Sequence, residues 1–591
     1  MRLSFMLFQD LVDAYDEIEA RSSRLEMTEI LANLLKKADA ADLKKIVYLT
    51  QGQLYPDFDP RKLGLADKLL LKTLAMSAGM SEDKIQAIWL KEGDPGLVAQ
   101  IIFQTKKQQT LFSDNLSVAR VYSNLEKIAG AEGSGSQETK MKLVADLLND
   151  ATPNEAKFIC RIVTGRMRLG IAGMTMIDAL AQAFATKEDR DEIERAFNVS
   201  SDMGKVAEVL ATNGMEAIRK MQVEVFSPLR AMLAERLPSP EEILTKMDGK
   251  AAFEYKYDGL RVQAHIKDGK IKLFSRRLEE LTEQFPDVAK ALLKAFKAKS
   301  IIAEGECVPV DINTGEMLPF QEVSHRRGRK HGLEEAIEDY PVRVFLFDCV
   351  LKDGEDLTNS PLPERRKALE KSFEKTDDVR FSEQRVLDDP AKAEEFFQEA
   401  LTAGCEGLMA KAVGPESFYR AGSRGYLWIK YKKEYRSEMT DTVDLVVVGA
   451  FAGRGKRKGV YGALLMATFN PESEMFETCC KLGSGFDDAT LAKLPEMLEK
   501  YRTKEKPQRV SSKMEADYWF EPGIVLEVLG AEITVSPIHT ASYSKIRKDS
   551  GLAIRFPRFT GRFREEKGPR DATTTQELEH MYSKQLKKVE G

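Results

Sequence analysis

The chain has 591 residues, more than one hydrophobic core can organise, so its length predicts about three or four domains. Hydrophobic residues make up 43% of it and charged residues 31%, as in an ordinary soluble protein. The net charge of −5, taken alone, argues against a nucleic-acid-binding protein. However, net charge is an average over the molecule, whereas a phosphate-binding groove is local, so this class stays open.

The six cysteines show no Cys-x-x-Cys spacing, so a zinc ribbon or finger is not expected. Each cysteine lies among apolar neighbours, which favours small buried side chains in a reduced compartment. The N-terminus reaches Asp10 before a signal-peptide core is complete, and no apolar run approaches the roughly 20 residues of a membrane span. We therefore expect a cytoplasmic protein with no membrane segment.

Residues 1 to about 235 are typical of helices. Leu11, Tyr15 and Ile18 recur at helical spacing and predict one buried face. The segment TPNE at 152–155 is a capping box with proline at the first helical position. The run GSGSQETK at 133–140 predicts a polar link between two helices. It is either a plain loop or a backbone that approaches phosphates, because glycine and serine leave amide groups open to anions.

Near residue 237 the pattern changes from helices to a mixture of strands and helices. LPSPEEIL carries two prolines and a second cap at Ser239, which marks a domain boundary. RVQAHI, at 261–266, alternates as a strand does, and Asp268-Gly269 predicts a tight hairpin turn into KIKLFS. VRVFLFDCVL is a further strand, and EEFFQEALTAG is helical. This mixture predicts an α+β domain.

After about residue 437 three apolar, alternating stretches predict an antiparallel meander with short turns. A small β-barrel of the oligonucleotide-binding (OB-fold) type fits this pattern. The expected architecture is therefore multidomain: an all-α N-terminal domain (1–237), an α+β domain (238–437) and a C-terminal OB-fold β-barrel (438–591).

The most informative stretch for chemistry is AAFEYKYDGLRVQAH, in which Lys256 interrupts a run that otherwise reads as a buried strand. A buried amine is costly unless it is paired or used. Three interpretations are open: an edge-strand lysine, a phosphate clamp, or a nucleophile whose pKa is lowered by burial or nearby positive charge. Asp258 is placed to orient the amine or a metal, and Gly259 permits a tight turn beside a ligand.

An ordered series of motifs follows Lys256. It comprises SRRLE at 275–279, AEGECV at 303–308, FLFDCV at 345–350, EGLMAK at 406–411, RGYLWIKYKK at 424–433 and IRFPRFTGRFREEK at 554–567. Residues two apart on a strand share a face, which pairs Glu304 with Glu306 and Lys430 with Lys432. Each motif alone has an ordinary structural explanation. Together they supply a nucleophile, an aromatic surface for a base, carboxylates for ribose and magnesium, and cations for a triphosphate.

This motif series resembles that of the covalent nucleotidyltransferases, and most closely the ATP-dependent DNA ligases of the archaeal and eukaryotic replicative type. The resemblance extends over nearly the whole chain, including TGRMRLGIAGMT at 164–175, which is similar to their helical DNA-binding domain. It implies that Lys256 is the residue that becomes adenylated. It also implies that Glu254 contacts the adenine, Phe347 stacks on the purine and Glu306 binds the ribose.

The same resemblance implies further site residues. Glu306 and Glu406 are the expected metal-associated carboxylates. Arg564 and Lys567 belong to the terminal motif that orients the pyrophosphate. The complete set of expected nucleotide contacts is Glu254, Arg261, Arg276, Glu306, Phe347, Arg424, Lys430, Lys432, Arg564 and Lys567.

The implied activity is sealing of nicks in duplex DNA, in replication, recombination and repair, through a lysine–AMP intermediate and then a DNA-adenylate. ATP is the expected AMP donor and Mg²⁺ the expected metal. The expected partners are nicked double-stranded DNA and a sliding clamp. We expect a monomer located in the cytoplasm with the nucleoid.

Basic clusters at 325–331, at 453–459 and from Arg555 to Arg570 are candidate phosphate contacts or simply solvated loops.

Three alternatives remain at this stage. An RNA ligase or a capping enzyme shares the central motifs, but the large helical N-terminal region argues against both. An NAD-dependent DNA ligase is expected to carry zinc-binding cysteines, and this chain lacks their spacing. A non-catalytic DNA-binding scaffold with a decayed ligase core is disfavoured by the intact motifs.

Overall fold

The protein is described here by a computed structural model. The structure describes residues 6–63, 65–105, 115–310, 317, 320, 326, 334, 337, 341–432, 442–453, 459–530, 532–546, 548–555 and 557–587. The chain divides into two compact units, Met1–Tyr431 and Lys432–Gly591. Within the described ranges, no helix has both the length and the apolar character needed to cross a membrane. The basic clusters at 325–331 and 453–459 lie outside the described residues, except for Arg326, Gly453 and Gly459.

The first part of the chain is helical, as predicted. Its helices are α1 (Phe8–Glu19), α2 (Arg24–Lys37), α3 (Ala40–Thr50), α4 (Asp67–Ala78), α5 (Glu82–Glu92), α6 (Pro95–Thr105), α7 (Val118–Gly130), α8 (Ser136–Asp150), α9 (Pro153–Val163), α10 (Gly173–Phe184), α11 (Arg190–Ser200) and α12 (Met203–Arg219). Leu11, Tyr15 and Ile18 are fully buried, which confirms their shared face. The capping box is confirmed, since Thr152 and Glu155 each accept a hydrogen bond from the other's backbone amide.

The link predicted at 133–140 is shorter than expected. Helix α8 begins at Ser136, so residues 136–140 form its first turn and only the glycine-containing start of the segment lies outside it. Gly133 and Gly135 have φ angles of 81° and 84°, a left-handed conformation that glycine adopts at little cost. Gly135 therefore ends the connection and starts the helix. The polar composition of SQETK misled the prediction, because serine, glutamine and glutamate are also favoured in a first helical turn.

The remainder of the first unit is the predicted α+β domain. Its elements are β1 (Leu233–Arg236), α13 (Pro240–Lys246), β2 (Ala251–Lys256), β3 (Leu260–Lys267), β4 (Lys270–Ser275), α14 (Pro286–Ala295), β5 (Ser300–Pro309), β6 (Val342–Lys352), β7 (Glu355–Asp356), α15 (Leu362–Ser372), β8 (Val379–Phe381), β9 (Gln384–Leu387), α16 (Pro390–Thr402), β10 (Gly407–Ala412) and β11 (Arg424–Lys432). The predicted hairpin turn is confirmed, because Asp268 and Gly269 have positive φ angles between β3 and β4.

These strands form two sheets. One has the order β1-β11-β10-β2-β9, and the other has the order β4-β3-β5-β6-β7 with β8 added beside β6. The sheets pack face to face: the ring of Tyr257, just after β2, stacks on Phe345 of β6 with centroids 4.1 Å apart. The outer face of the second sheet buries Val262, Ala264 and Ile266 in a separate apolar cluster. The inner face is therefore enclosed between the two sheets, and any polar group on it needs a partner.

The segment between α12 and β1 is hydrogen-bonded to this inner face. The amide of Phe226 donates to Nδ1 of His265 (2.9 Å), and the amide of Leu229 donates to Oε1 of Gln263 (3.0 Å). The second His265 nitrogen, Nε2, donates to the same Gln263 oxygen (2.8 Å). The polar half of RVQAHI thus binds the connecting backbone, although its alternation alone is equally typical of a solvent-facing strand surface.

The second unit contains the predicted antiparallel meander. Its elements are β12 (Val443–Ala452), β13 (Tyr461–Asn470), β14 (Met475–Leu482), α17 (Asp488–Glu499), β15 (Arg502–Thr503), β16 (Val510–Ser511), β17 (Tyr518–Phe520), β18 (Val525–Leu529), β19 (Glu532–Ser536), β20 (Gly551–Arg555), β21 (Arg558–Phe563), a 3₁₀ helix (Pro569–Asp571) and α18 (Thr575–Lys587). Strands β12, β13 and β14 pair antiparallel in chain order. The C-terminal sheet domain is therefore confirmed.

His265 predicts a specific pH dependence of stability. Burial, with help from the charge of Lys272, lowers its pKa from 6.5 to about 3. The unfolded chain takes up a proton at this position below about pH 6.5, whereas the folded chain does not until about pH 3. The stability contributed by neutral His265 is therefore present above pH 6.5 and is lost as the pH falls toward 3. Between pH 7 and pH 5 the loss is about 2 kcal/mol.

We expect His265→Gln to lose about 2 kcal/mol less stability than the wild type between pH 7 and pH 5, measured by urea unfolding at each pH. His580→Gln, at an exposed position of α18, is the control and should follow the wild-type profile. Equal profiles for all three proteins would show that His265 does not stay neutral in the fold.

Candidate active site around Lys256

Lys256 is the last residue of β2, a strand flanked by β10 and β9, so it does not lie on an edge strand. Its Nζ contacts the Oε2 atom of Glu406, and the two side chains are 22% and 25% exposed. The backbone joins the same two residues, because the Glu406 amide donates to the Lys256 carbonyl (2.9 Å). The Lys256 stretch and the EGLMAK motif are thus held together, with an amine beside a carboxylate in a partly enclosed site.

Glu304 and Glu306 lie on one face of β5, as predicted, and point toward the enclosed side of the sheet. Glu304 pairs with Gln263 and Glu306 with Arg261 across the β3–β5 ladder. Burial raises the pKa of Glu306 to about 7, and the charges of Lys256 and Arg261 oppose this rise. Glu406 and Asp258 add to the rise, so several of the predicted charged residues lie within electrostatic reach of one another.

Gly259 is required for this arrangement by close approach of the backbone. A β-carbon at position 259 would lie 2.5 Å from the Cys307 carbonyl oxygen and 2.9 Å from Cγ of Glu306. Both distances are too short for any side chain, so only glycine lets the start of β3 run this close to β5. The glycine therefore fixes the position of Glu306 relative to the Lys256 strand.

Arg261 is bound on several sides. Its Nη2 donates to Oε2 of Glu304 (2.8 Å), and its Nη1 donates to the Met232 carbonyl (3.0 Å). The hydroxyl of Tyr419 donates to the same Glu304 oxygen (2.8 Å) and accepts a hydrogen bond from the Met232 amide (3.0 Å). Burial raises the pKa of Tyr419 well above its ordinary value, so the hydroxyl stays protonated and able to donate.

An aromatic corner lies beside Arg261. The Phe347 ring meets Trp428 edge to face, with centroids 6.2 Å apart, and the Arg261 guanidinium lies 5.4 Å from each ring centroid. The β5–β6 register passes from Glu304–Asp348 to Gly305–Leu346, which leaves Phe347 as an extra residue in a β-bulge. Bulges re-aim side chains, and here the bulge turns Phe347, which belongs to the second sheet, toward Trp428 of β11 in the first sheet.

The strand just after this bulge is fixed by a fully buried ion pair. The Arg365 guanidinium donates to both oxygens of Asp348, at 2.8 and 3.0 Å, and neither side chain is exposed. Arg365 also donates to the carbonyls of Ser360 and Ser417. Although burial disfavours ionisation, the Arg365 charge holds the pKa of Asp348 below its ordinary value.

Glu254 lies two residues before Lys256 and is 2% exposed. Its Oε2 atom lies 2.7 Å from Nζ of Lys411, and its Oε1 atom accepts a hydrogen bond from Nε2 of Gln384 (2.6 Å). The Lys411 ammonium also lies over the rings of Phe347 and Trp428, 4.7 and 4.5 Å from their centroids. One lysine therefore joins the predicted adenine-contacting carboxylate to the aromatic corner.

The remaining predicted cations up to the end of β11 are Arg276, Arg424, Lys430 and Lys432. Burial together with the like charges of Arg261 and Arg424 lowers the pKa of Arg276, so these three arginines are near one another. Lys430 and Lys432 alternate along β11 with Ile429 and Tyr431, whose side chains are buried in another apolar cluster. That alternation agrees with a shared face for the two lysines.

Arg564 and Lys567 belong to the second unit and share one carboxylate there. Arg564 Nη1 lies 2.8 Å from Oδ1 of Asp444, and Lys567 Nζ lies 2.6 Å from Oδ2 of the same residue. Glu527 and Glu566 also contact Arg564. Their expected role toward a nucleotide bound at Lys256 stays a prediction.

The carboxylates near Lys256 fit a magnesium ion. Among the described residues, no group of three or more histidine, cysteine, aspartate or glutamate side chains is arranged to hold a metal. Mg²⁺ does not require such a cage, because it is usually bound by one or two carboxylates together with substrate phosphates and water. Glu306 and Glu406 are carboxylates of this kind: Glu406 contacts the Lys256 amine, and Glu306 interacts electrostatically with both residues.

Several residues of the site escaped the sequence analysis. They are Asp348, Arg365, Gln384, Lys411, Tyr419 and Trp428. Asp348, Lys411 and Trp428 stood inside the quoted motifs without a role, so their position there was the available signal. Gln384, Arg365 and Tyr419 lie between motifs, and single-sequence patterns gave no sign of them.

Comparison with known proteins identifies three family models in the chain. The model described as "ATP dependent DNA ligase domain" matches residues 231–432, "DNA ligase N terminus" matches 7–181, and "ATP dependent DNA ligase C terminal region" matches 457–567. All three models describe DNA ligases, which favours this class over RNA ligases and capping enzymes.

Curated relatives match the chain over almost its whole length. DNA ligase 2 of Thermofilum pendens is 51% identical over 590 residues, which cover 98% of this chain and 97% of the relative. The DNA ligase of Caldivirga maquilingensis is 48% identical over 592 residues and 98% of each chain. A solved structure named Pmar-Lig_PreS3 has a TM-score of 0.52 at 17% identity, covers 94% of this chain and 99% of its own, and supports the fold.

The buried Arg365–Asp348 pair predicts a large loss of stability when it is broken. Arg365→Met leaves Asp348 charged and unpaired in the interior, which costs about 3–5 kcal/mol of unfolding free energy. Arg385→Met is the control, because it removes an exposed pair with Glu399 and is expected to cost less than about 1 kcal/mol. Urea unfolding of both variants measures the difference. Equal, small losses would contradict the assigned role of Arg365.

Proposed function

Because this chain belongs to the family of ATP-dependent DNA ligases, which join breaks in duplex DNA, we propose that Lys256 carries AMP from ATP to the DNA. The protein is an ATP-dependent DNA ligase whose AMP donor is ATP and whose usual metal is Mg²⁺. The observation that carries the proposal is the position of the Lys256 amine. It ends an interior strand, contacts Glu406, and lies close enough to Glu306 to oppose the rise in its pKa.

In the first step the Lys256 amine must be neutral to act as a nucleophile. Glu406, which contacts Nζ, takes its proton. The nitrogen lone pair then forms a bond to the α-phosphorus of ATP, the bond to the bridging oxygen breaks, and pyrophosphate leaves. Magnesium, when bound by Glu306 and Glu406, supplies positive charge that offsets the charge of the phosphates.

The enclosed face between the two sheets provides the nucleotide pocket in this proposal. Phe347 stacks on the purine, and Glu254 faces its exocyclic amine. Glu306 binds the ribose. Arg261 lies against the aromatic corner, where its guanidinium reaches the nucleotide while Glu304 and the Met232 carbonyl fix its direction.

Arginine and lysine side chains around the pocket bind the phosphates of ATP. Arg276, Arg424, Lys430 and Lys432 are the candidates in and next to the first unit, and the mutual proximity of Arg261, Arg276 and Arg424 supports a site that attracts anions. Arg564 and Lys567 of the terminal motif orient the departing pyrophosphate. The Asp444 carboxylate holds them as a pair, which supports their acting together.

The next two steps move AMP to the DNA and release it. An oxygen of the 5′-phosphate at the nick attacks the lysine–AMP phosphorus, the nitrogen–phosphorus bond breaks, and Lys256 regains its amine. The 3′-hydroxyl then attacks the activated 5′-phosphate, a phosphodiester forms and AMP leaves. Such steps depend on positioning and on neutralised charge, and none of the five histidines lies in the motif series.

The finer organisation also belongs to this proposal. Residues 1–237 bind the duplex, and residues 238–437 carry out the adenylation chemistry. Residues 438–591 form an OB-fold that also binds the DNA. The protein works as a monomer on nucleoid DNA inside the cell, in replication, recombination and repair, with a sliding clamp as accessory partner. The family resemblance supports these assignments.

Replacing the nucleophile tests the central step. In Lys256→Ala the amine is absent, so we expect label transfer from α-labelled ATP to the protein to fall below about one thousandth of the wild-type level. Lys250→Ala, at an exposed position just before β2, is the matched control and should keep full labelling. A Lys256→Ala protein that is labelled like the wild type would refute the assignment, whereas a wild type that takes no label would support a non-catalytic scaffold.

Substrate choice gives a second test. Labelled wild-type protein, incubated with a nicked DNA duplex, should discharge its AMP and seal the nick, and binding should weaken steeply as salt rises because phosphate contacts release counterions. A nicked all-RNA duplex of the same sequence should be sealed at least tenfold more slowly. Equal sealing of the two duplexes would point to an RNA ligase instead.

A further inference from the structure

The Glu254 carboxylate is held from two sides by residues that have no assigned role. It lies opposite Met409 on β10 and opposite Gln384 on β9, in the middle of a three-strand ladder. Gln384 Nε2 donates to Oε1 at 2.6 Å, and Lys411 Nζ lies 2.7 Å from Oε2. Each oxygen is thus fixed by a different donor, so the plane of the carboxylate has little freedom to rotate.

Lys411 connects this carboxylate to the aromatic corner. Its ammonium is 4.7 Å from the Phe347 ring centroid and 4.5 Å from that of Trp428, and it donates to the Phe347 carbonyl at 3.4 Å. Glu254 therefore lies beside the surface on which the purine is proposed to stack. A nucleotide group that donates a hydrogen bond to the Glu254 carboxylate must therefore lie on the edge of the stacked purine.

A carboxylate paired with an ammonium and an amide donor is a pure hydrogen-bond acceptor. It offers about four acceptor sites, so two donors leave capacity for a third. Adenine presents an exocyclic amine, which donates. Guanine and hypoxanthine carry a carbonyl oxygen at the same position, which only accepts, so it would face the Glu254 oxygens without a hydrogen bond and with electrostatic repulsion.

We propose that Gln384 and Lys411 are specificity-determining positioning residues, which hold Glu254 so that the site selects a purine whose exocyclic amine is at C6. This inference rests on the proposed function, in which Phe347 stacks the base at Lys256. Gln384 lies at the start of β9 and is partly exposed, whereas Lys411 is 1% exposed and forms the ion pair that keeps Glu254 tolerable in the interior. Gln384 is therefore the residue to change.

Gln384→Leu removes the amide and leaves a branched apolar side chain that is one atom shorter, while the Lys411–Glu254 pair stays in place. The Glu254 carboxylate is then free to rotate about the one oxygen that Lys411 holds. We therefore expect weaker discrimination between ATP and ITP, while Lys256 still takes up the nucleotide. We expect the ratio of protein labelling with α-labelled ATP to labelling with α-labelled ITP to drop about tenfold, as for one lost hydrogen bond to a charged group.

The control is Gln398→Leu, the same change on α16 at a position whose amide bonds Glu394. It should keep the wild-type ratio. Gln384→Met is a second variant for the case that leucine is not accommodated, because methionine is unbranched and also lacks the amide. The ratio refers to correctly folded, labelled protein, so a general loss of stability does not change it.

A ratio in Gln384→Leu and Gln384→Met that equals the wild-type value, or exceeds it, overturns the role of Gln384. Wild-type protein that takes no label from ATP is a separate result, because it refutes the proposed function and leaves no selectivity to explain. A tenfold lower ratio with unchanged Gln398→Leu supports both the position of Glu254 and the orienting hydrogen bond.

Discussion

A lysine ammonium at the end of an interior strand requires a counter-charge, and the contact between Lys256 and Glu406 supplies it. The local backbone brings the two residues together, because the Glu406 amide also donates a hydrogen bond to the Lys256 carbonyl. An amine kept beside a carboxylate is stable in the resting protein and has a proton acceptor at hand for chemistry. The other features of the site depend on keeping this pair in place.

Every charged side chain that is enclosed between the two sheets also requires a counter-charge. The pairs Lys411–Glu254, Arg261–Glu304 and Arg365–Asp348 each satisfy it by bringing opposite charges together at hydrogen-bond distance. Burial of single ions would cost several kcal/mol each, whereas pairing offsets much of that cost and fixes direction as well. The aromatic corner, the acceptor beside it and the amine are thus rigid with respect to one another, which is what transfer of a nucleotide requires.

The sequence predicted the parts of this arrangement that depend on local patterns. The hairpin at Asp268-Gly269, the cap at Thr152 and the shared face of Glu304 and Glu306 follow from turn chemistry and strand periodicity, and the structure confirms them. The motif series also indicated the family correctly, which the relatives confirm.

The partners of the charged residues could not be predicted from periodicity, because they come from distant parts of the chain. Lys256 and Glu406 are 150 positions apart, and Gln384 meets Glu254 only because β9 pairs with β2. The bulge that turns Phe347 depends on the register of β5 against β6, which no local pattern reports. The polar face of β3 was equally ambiguous, since burial of Gln263 and His265 depends on the connector that lies across them.

The claim on which all of this depends is that one particular amine carries the AMP. Its most direct test is to incubate the wild-type protein with ATP and magnesium, digest it, and identify the AMP-bearing peptide by mass spectrometry. The account predicts that AMP is attached to Lys256, in the peptide that contains AAFEYKYDGLR. Attachment to another lysine, such as Lys411 or Lys430, with Lys256 unmodified, would contradict it.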